Sequence, residues 1–206
     1  MSKAPETLTT DEAELLLLEL RQAWEHTWSS WKNLRNYTMA LLMLDAGLRV
    51  GEVVRLKIEN LILAGEAKNA IELDSGLAEK SCVRTIPTSE RIRAALNNLN
   101  VMTWNIPNVV PLDWAFFDRD VKLALSIRQV QRIIAKASQK AFGRKIHPHV
   151  LRHTFATRLM RITSTPVVQQ LLGHKRLTST QVYVHPNGDD CKAAIDALNK
   201  PPAAAI

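Results

Sequence analysis

His147-Pro148-His149-Val150-Leu151-Arg152-His153-Thr154-Phe155-Ala156-Thr157 is the stretch whose reading decides the fold of this chain. Proline has no amide proton to lose in a first turn, and its φ is already helical, so a helix starts at Pro148. Residues three and four apart share a helix face. His149, Arg152, His153 and Ala156 therefore form one stripe, and Leu151, Phe155 and Leu159 form another. The second stripe is expected in the core. The first can present an imidazole and a guanidinium to one anionic ligand. Taken alone, it reads more simply as a solvated basic helix surface, because basic amphipathic helices are common.

Other strings of similar chemistry flank this one. Downstream stand Leu171-Leu172-Gly173-His174 and, after it, Thr180-Gln181-Val182-Tyr183-Val184-His185. Upstream stands Ala46-Gly47-Leu48-Arg49-Val50-Gly51-Glu52. Each has an ordinary reading by itself. Arg49 can pair with Glu52 at i+3, Gly173 can be a helix C-terminal glycine, and Tyr183 can be a half-buried tyrosine. Arg49 at the entry to a short helix can equally donate a planar fork to phosphate oxygens.

The chain around these strings reads as mainly α with a small antiparallel β-sheet, an α+β architecture. Thr9 and Glu12 have capping-box spacing and open a helix through Leu15, Leu18 and Trp24. A Leu- and Met-rich helix covers Lys32 to Asp45, with Gly47 as its stop. A short helix follows from Val50 to Leu56. Leu61-Ile62-Leu63 is a candidate strand. Ala70 to Asp74 alternates apolar and acidic residues, and Val83 to Ile86 reads as its hairpin partner. The turn between them holds Lys80; the next lysine upstream is Lys68. Beyond Ser89 the chain is helical again to Leu99. Val101 to Leu123 is irregular, with Trp104, Trp114, Phe116 and Phe117 as core plugs. Ser126 and Gln129 form a second capping box, ahead of a helix with Val130, Ile133, Ile134, Ala137 and Ala141 on one face and Gly143 at its end. Thr165-Pro166 starts the helix that ends near Gly173. A last helix is expected from Asp189 to Leu198.

Composition narrows the partners. The chain has 206 residues, enough for one good core, and carries a formal charge of +7. Its pI is about 9.6. Such a balance favours an anionic partner, nucleic acid first and an anionic membrane second. Cys82 and Cys191 lie far apart without metal-ligand spacing, so neither a zinc site nor a disulfide framework is expected. Two unpaired thiols fit a reducing cytoplasm. Leu15 to Leu18 is too short an apolar run to span a bilayer, and acidic residues flank it where a signal peptide would be basic. No P-loop string and no acidic cluster for paired metals occurs, so neither ATP nor a metal or other cofactor is expected.

Taken in order, the strings at 46–52, 147–157, 171–174 and 180–185 resemble the tyrosine recombinase (phage integrase) family, over residues 9–186. The resemblance implies that family's catalytic-domain fold and six active positions: Arg49, Lys80, His149, Arg152, His174 and Tyr183. In the family a catalytic lysine sits in a hairpin turn shortly before an Arg-x-(Val/Ile)-Pro strand. Here that strand is Arg84-Thr85-Ile86-Pro87, and the turn reads Ser75-Gly76-Leu77-Ala78-Glu79-Lys80 in place of the usual Gly-Lys-Gly form. By the same resemblance Tyr183 attacks a DNA phosphorus to form a 3′-phosphotyrosine, Arg49 and Arg152 neutralise the nonbridging oxygens, and His149 takes the phenol proton. His174 then hydrogen-bonds a nonbridging oxygen, and Lys80 protonates the departing 5′ oxygen.

The implied activity is site-specific recombination of double-stranded DNA. The implied assembly is a homo-tetramer on a specific site, formed from free monomers, in the cytoplasm beside the nucleoid and without membrane contact. The expected organisation is a disordered lead-in at 1–8, a catalytic domain at 9–186, and a C-terminal helix and tail at 187–206 exchanged between subunits. No N-terminal core-binding domain is expected, which fits either an isolated catalytic piece or a naturally short recombinase. Two rivals stand beside this reading. A type IB topoisomerase shares the chemistry but religates the same strand, and a DNA-binding regulator would have lost catalysis.

Overall fold

Thr9 and Glu12 close the capping box that their spacing predicts. The Thr9 amide donates to Glu12 Oε2 at 3.0 Å and the Glu12 amide to Thr9 Oγ1 at 3.1 Å. Helix α1 (Thr10–Gln22) follows. The structure, a computed structural model, describes residues 6–22, 30–77 and 83–173. Helix α1 buries Ala13, Leu16, Leu17 and Leu20, which share one face, whereas Leu15 and Leu18 stay exposed. Trp24 lies outside the described residues.

Helix α2 (Ser30–Leu44) is apolar all round in its second half. Every residue from Met39 to Leu44 is buried, so the helix can only sit at the centre of the fold. It ends ahead of Gly47, whose φ of +64° lets the chain reverse, with the Leu48 amide returning to the Leu42 carbonyl at 3.1 Å. Two short helices come next, α3 (Val50–Val53) and α4 (Ile58–Leu61).

The expected single sheet is two separate antiparallel ribbons. Ala64 and Gly65 both have positive φ, the geometry of a tight two-residue hairpin turn. They fold β1 (Ile62–Leu63) directly onto β2 (Glu66–Ala67), which closes the first ribbon before the chain reaches Ala70. The second ribbon pairs β3 (Ala70–Leu73) with β4 (Arg84–Pro87), Ile71 opposite Ile86 and Leu73 opposite Arg84. Their alternation puts Ile71, Leu73, Arg84 and Ile86 on the buried side. Residues 78–82, including Lys80 and Cys82, lie outside the described residues.

Helix α5 (Glu90–Leu99) is capped by Ser89 and runs on into a π-helical turn at Asn100–Trp104, where irregular chain was expected. Trp104, Phe116 and Phe117 are buried, as core plugs should be, while Trp114 is half-buried. The irregular segment is pinned by the buried Arg35, which donates to the Phe117 carbonyl. Burial pushes this guanidinium down to about 10, against the opposing pull of Asp118, so it stays charged at neutral pH.

Helix α6 (Ile127–Phe142) carries the predicted Ser126–Gln129 box and ends at Gly143, φ +78°. Val130, Ile134 and Ala137 are buried, with Ile133 and Ala141 half-buried at the edge of that face. Helix α7 (Pro148–Met160) begins with proline in its first turn, as expected. Helix α8 (Thr165–Leu172) ends at Gly173, φ +63°. Helices α1, α5, α6 and α7 pack around or beside α2, and α8 lies on α7 and β4. The helix expected at 189–198 lies outside the described residues. Among the described residues, no helix is long and apolar enough to cross a membrane.

The lead-in expected to be disordered through residue 8 is tied down at its inner end. Leu8 is buried, and its amide donates to Thr154 Oγ1 on α7 at 2.8 Å. The Thr154 hydroxyl in turn donates to the Val150 carbonyl at 2.8 Å. Thr154→Val keeps the shape but strands the Leu8 amide, which costs about 1–3 kcal/mol for a buried donor. Urea unfolding should show a lower midpoint at unchanged slope. An unchanged midpoint would detach residues 6–8 from α7.

Candidate functional site

Arg49 is the N-cap residue of α3, and its local structure is set by Glu52 three residues on. The Glu52 carboxylate reaches back to the Arg49 amide at 2.7 Å, the N3-to-N-cap half of a capping box. It also meets Arg49 Nη1 at 3.4 Å. The ordinary ion-pair reading of Arg49 is therefore correct as geometry. It does not exclude a second role, since the Arg49 side chain remains about a quarter exposed.

Glu52 is more than a partner of Arg49. Its side chain is only 4% exposed, and both oxygens accept from Arg84, Oε1 from Nη1 and Oε2 from Nη2, each at 2.9 Å. Arg152 Nη1 lies 4.0 Å from Oε2. Three guanidiniums from three separate elements thus gather around one buried carboxylate. Burial in a medium of low dielectric strengthens each pairing and makes removal of any member costly.

Arg152 is held by more than charge. It donates through Nη1 to the Gly47 carbonyl and through Nη2 to the Leu172 carbonyl, the latter at 2.6 Å. The Gly47 contact needs glycine twice over. Its φ is left-handed, and a Cβ there would fall 2.4 Å from Phe155 Cδ1 and 3.2 Å from Leu172 Cδ2. Close approach of this backbone to α7 is what brings the carbonyl within reach of Arg152.

The two stripes expected on α7 are partitioned differently in the structure. Arg152 and Ala156, expected on the ligand-facing stripe, are buried. Ala156 packs with Val168 and Leu172, and Phe155 and Leu159 are only half-buried against that small cluster. Leu151 is fully buried as expected. The reason is that α7 is covered on two sides, by α2 and by α8, so neither stripe is simply inside or outside. His149 remains at the surface beside the cations. Burial pushes its imidazole below the ordinary value, and the charges of Arg152, Arg49 and His147 push it the same way. His153, with its ring centroid 6.4 Å from that of His149, is lowered by burial, His149 and Arg152.

Of the six expected positions, the structure brings Arg49, His149 and Arg152 together. Lys80, His174 and Tyr183 lie outside the described residues. Two participants had no role in the sequence reading. Glu52 entered only as a local partner of Arg49, and Arg84 only as a strand landmark. The signal for Arg84 is its parity with Ile86: a cation on the inward side of a strand implies a buried anion.

The family model for the phage integrase family matches residues 6–189. A tyrosine recombinase of Pseudothermotoga lettingae is 34% identical over 173 residues, which are 83% of this chain and 55% of that protein. Tyrosine recombinase XerA of Pyrococcus furiosus is 31% identical over 199 residues, 95% of this chain and 62% of that one. Among solved structures, XerA recombinase superposes with a TM-score of 0.74 at 26% identity, covering 98% of this chain and 68% of that one. XerH site-specific recombinase bound to its difH substrate has the same fold, with a TM-score of 0.70 at 22% identity over 97% of this chain and 56% of that one. The chain thus spans 55% and 62% of the lengths of the two sequence relatives.

The positive surroundings of His149 make a prediction with a definite sign. Its NMR titration midpoint should lie below the ordinary 6.5, and Arg49→Gln should raise it by removing one of the charges. A folded-state value below the unfolded one means that the unfolded chain binds the proton more readily. The stabilisation linked to neutral His149 is therefore full above the ordinary histidine value and lost as pH falls through it toward the lower folded value. A midpoint at or above 6.5 would remove His149 from the field of the arginines.

Proposed function

We propose that this chain, which belongs to the phage integrase family, breaks and rejoins double-stranded DNA at a specific site through a 3′-phosphotyrosine intermediate. The observation that carries this reading is the gathering of Arg49 and Arg152 at the buried Glu52 carboxylate, with His149 of α7 in the field of both guanidiniums. Phosphodiesters resist nucleophiles because they are anionic. Guanidiniums fixed in advance can neutralise the nonbridging oxygens and the charge that grows on them, without reorganising during the reaction.

The steps balance without an external energy source. The Tyr183 oxygen attacks phosphorus, the bond from phosphorus to the 5′ oxygen breaks, and an aryl phosphodiester forms in its place. The phenol titrates near 10 and needs an acceptor for its proton. His149, held below its ordinary value and so neutral at physiological pH, is that acceptor. Lys80 returns a proton to the departing 5′ oxygen, and His174 donates to a nonbridging oxygen. A 5′-hydroxyl of another strand then attacks the phosphotyrosine, giving its proton to Lys80; the bond from phosphorus to the Tyr183 oxygen breaks, and the phenol regains its proton from His149, so one ester replaces another without ATP. Strand exchange between two duplexes needs four such sites, so the working form is a tetramer on DNA assembled from free monomers.

Tyr183→Phe removes only the hydroxyl. Covalent capture of a nicked duplex should vanish while noncovalent binding persists, and that binding should weaken steeply with salt as phosphate contacts release counterions. Retained capture would move the nucleophile away from Tyr183. Binding without capture by the unaltered chain would favour a DNA-binding regulator, and relaxation of any supercoiled plasmid would favour a topoisomerase.

Arg152→Lys should slow capture by about 100-fold or more, because a single ammonium cannot hold the Gly47 and Leu172 carbonyls and a phosphate together. Lys80→Ala should be rescued by a 5′-bridging phosphorothiolate, since a thiolate leaves without a proton. Near-normal capture by the Arg152 variant, or absence of rescue for the Lys80 variant, would strike that residue from its role.

A further inference from the structure

Arg84 lies in β4 opposite Leu73, on the side of the ribbon that otherwise carries Ile71, Leu73 and Ile86. Its side chain is 2% exposed. The two Nη atoms donate to the two oxygens of Glu52, and Nε donates to the Leu171 carbonyl at 2.9 Å. Each contact reaches a different part of the site. Glu52 holds the backbone and side chain of Arg49 and lies 4.0 Å from Arg152. Leu171 precedes Leu172, whose carbonyl Arg152 holds, and stands three residues before His174. One planar fork therefore joins the strand that follows Lys80, the helix that starts after Arg49, and the end of the helix that leads to His174.

Stability alone does not call for this arrangement. Buried ion pairs lose much of their mutual attraction to desolvation, and apolar residues of similar volume are often as stable or more so. What a guanidinium adds is direction. Its N–H groups leave in fixed directions within one plane, so partners on separate elements are set relative to one another. The last carbonyls of α8 also carry the negative end of the helix dipole, which suits two cations side by side.

We propose that Arg84 is a positioning residue for DNA cleavage. It holds Glu52 and the C-terminal end of α8 so that Arg49 and Arg152 keep their mutual placement. The proposal rests on the recombinase reading above. Displacements of about 1 Å in such a constellation can slow a reaction by about 100-fold without contact between the altered residue and the substrate.

The test is single-turnover capture by the full chain on a nicked duplex, selected by the unaltered protein from a pool randomised around the nick. The amplitude of capture measures the fraction of protein that folds, and the rate constant measures placement of the groups. Arg84→Met and Arg84→Lys should each lower the rate constant at saturating DNA by about 10- to 100-fold. The amplitude and the affinity for uncleaved duplex should stay near those of the unaltered protein. Where Arg84→Met does not fold, Arg84→Lys carries the measurement. Reduced amplitude at an unchanged rate constant would overturn the proposal, as would an Arg84→Lys variant that cannot fold, because the residue would then be structural only. Failure of the unaltered chain to capture any member of the pool is a separate result, which sinks the recombinase reading and the positioning role together.

Discussion

The Glu52 carboxylate is the point on which the described site depends. It caps the first turn of α3, accepts a bidentate fork from β4 and faces the guanidinium of α7. These partners come from sequence positions 49, 84 and 152, so the pairing exists only after the hairpin, the short helix and the long helix have docked. A buried carboxylate left without them would be strongly unfavourable. The same cost that makes the group expensive to bury therefore penalises any arrangement in which the cations are misplaced. Loss of the carboxylate itself would leave the buried guanidiniums uncompensated in the interior, which typically costs about 3–5 kcal/mol.

Packing constrains the site as firmly as charge does. Gly47 lets the chain leave α2 against the Phe155 ring, and its carbonyl becomes a fixed acceptor for Arg152. At the other side of the same guanidinium, α8 ends at Gly173 in the left-handed region, with the Leu171 and Leu172 carbonyls received by Arg84 and Arg152. Orphan carbonyls at a helix end need donors, and here the donors are groups of the site itself. Arg152 is thus oriented by backbone on two sides. Preorganisation of this kind is what allows a charge-stabilising group to act without moving during the reaction.

The electrostatic setting of His149 follows from that clustering. A surface imidazole would ordinarily titrate close to physiological pH. Burial holds it below that value, and the charges of Arg152, Arg49 and His147 push it the same way. Packing and the neighbouring cations therefore act in the same direction on this imidazole.

Local rules carried the reading of elements a long way. Capping boxes at Thr9–Glu12 and Ser126–Gln129, proline in the first turn at Pro148, and the glycine stops at Gly143 and Gly173 act within a few residues, so they were legible directly. The ordered strings around Arg49, His149 and Arg152 were legible too, because that family's chemistry demands those residue types in that order. The division of the β residues into two ribbons was not, since it turns on a positive φ at Ala64, which alanine rarely adopts. Nor was the burial of Arg152 and Ala156, because helical periodicity tells which residues share a face but not how many neighbours cover the helix. The pairing of Arg84 with Glu52 spans 32 residues and depends on strand register and on the docking of α3. Sequence by itself determined the family and the local elements, because residue type and local spacing are written in it. Which charged groups meet, and which cation is spent holding the others in place, was decided by tertiary structure, because long-range contact is set by packing and by the cost of leaving a buried charge alone.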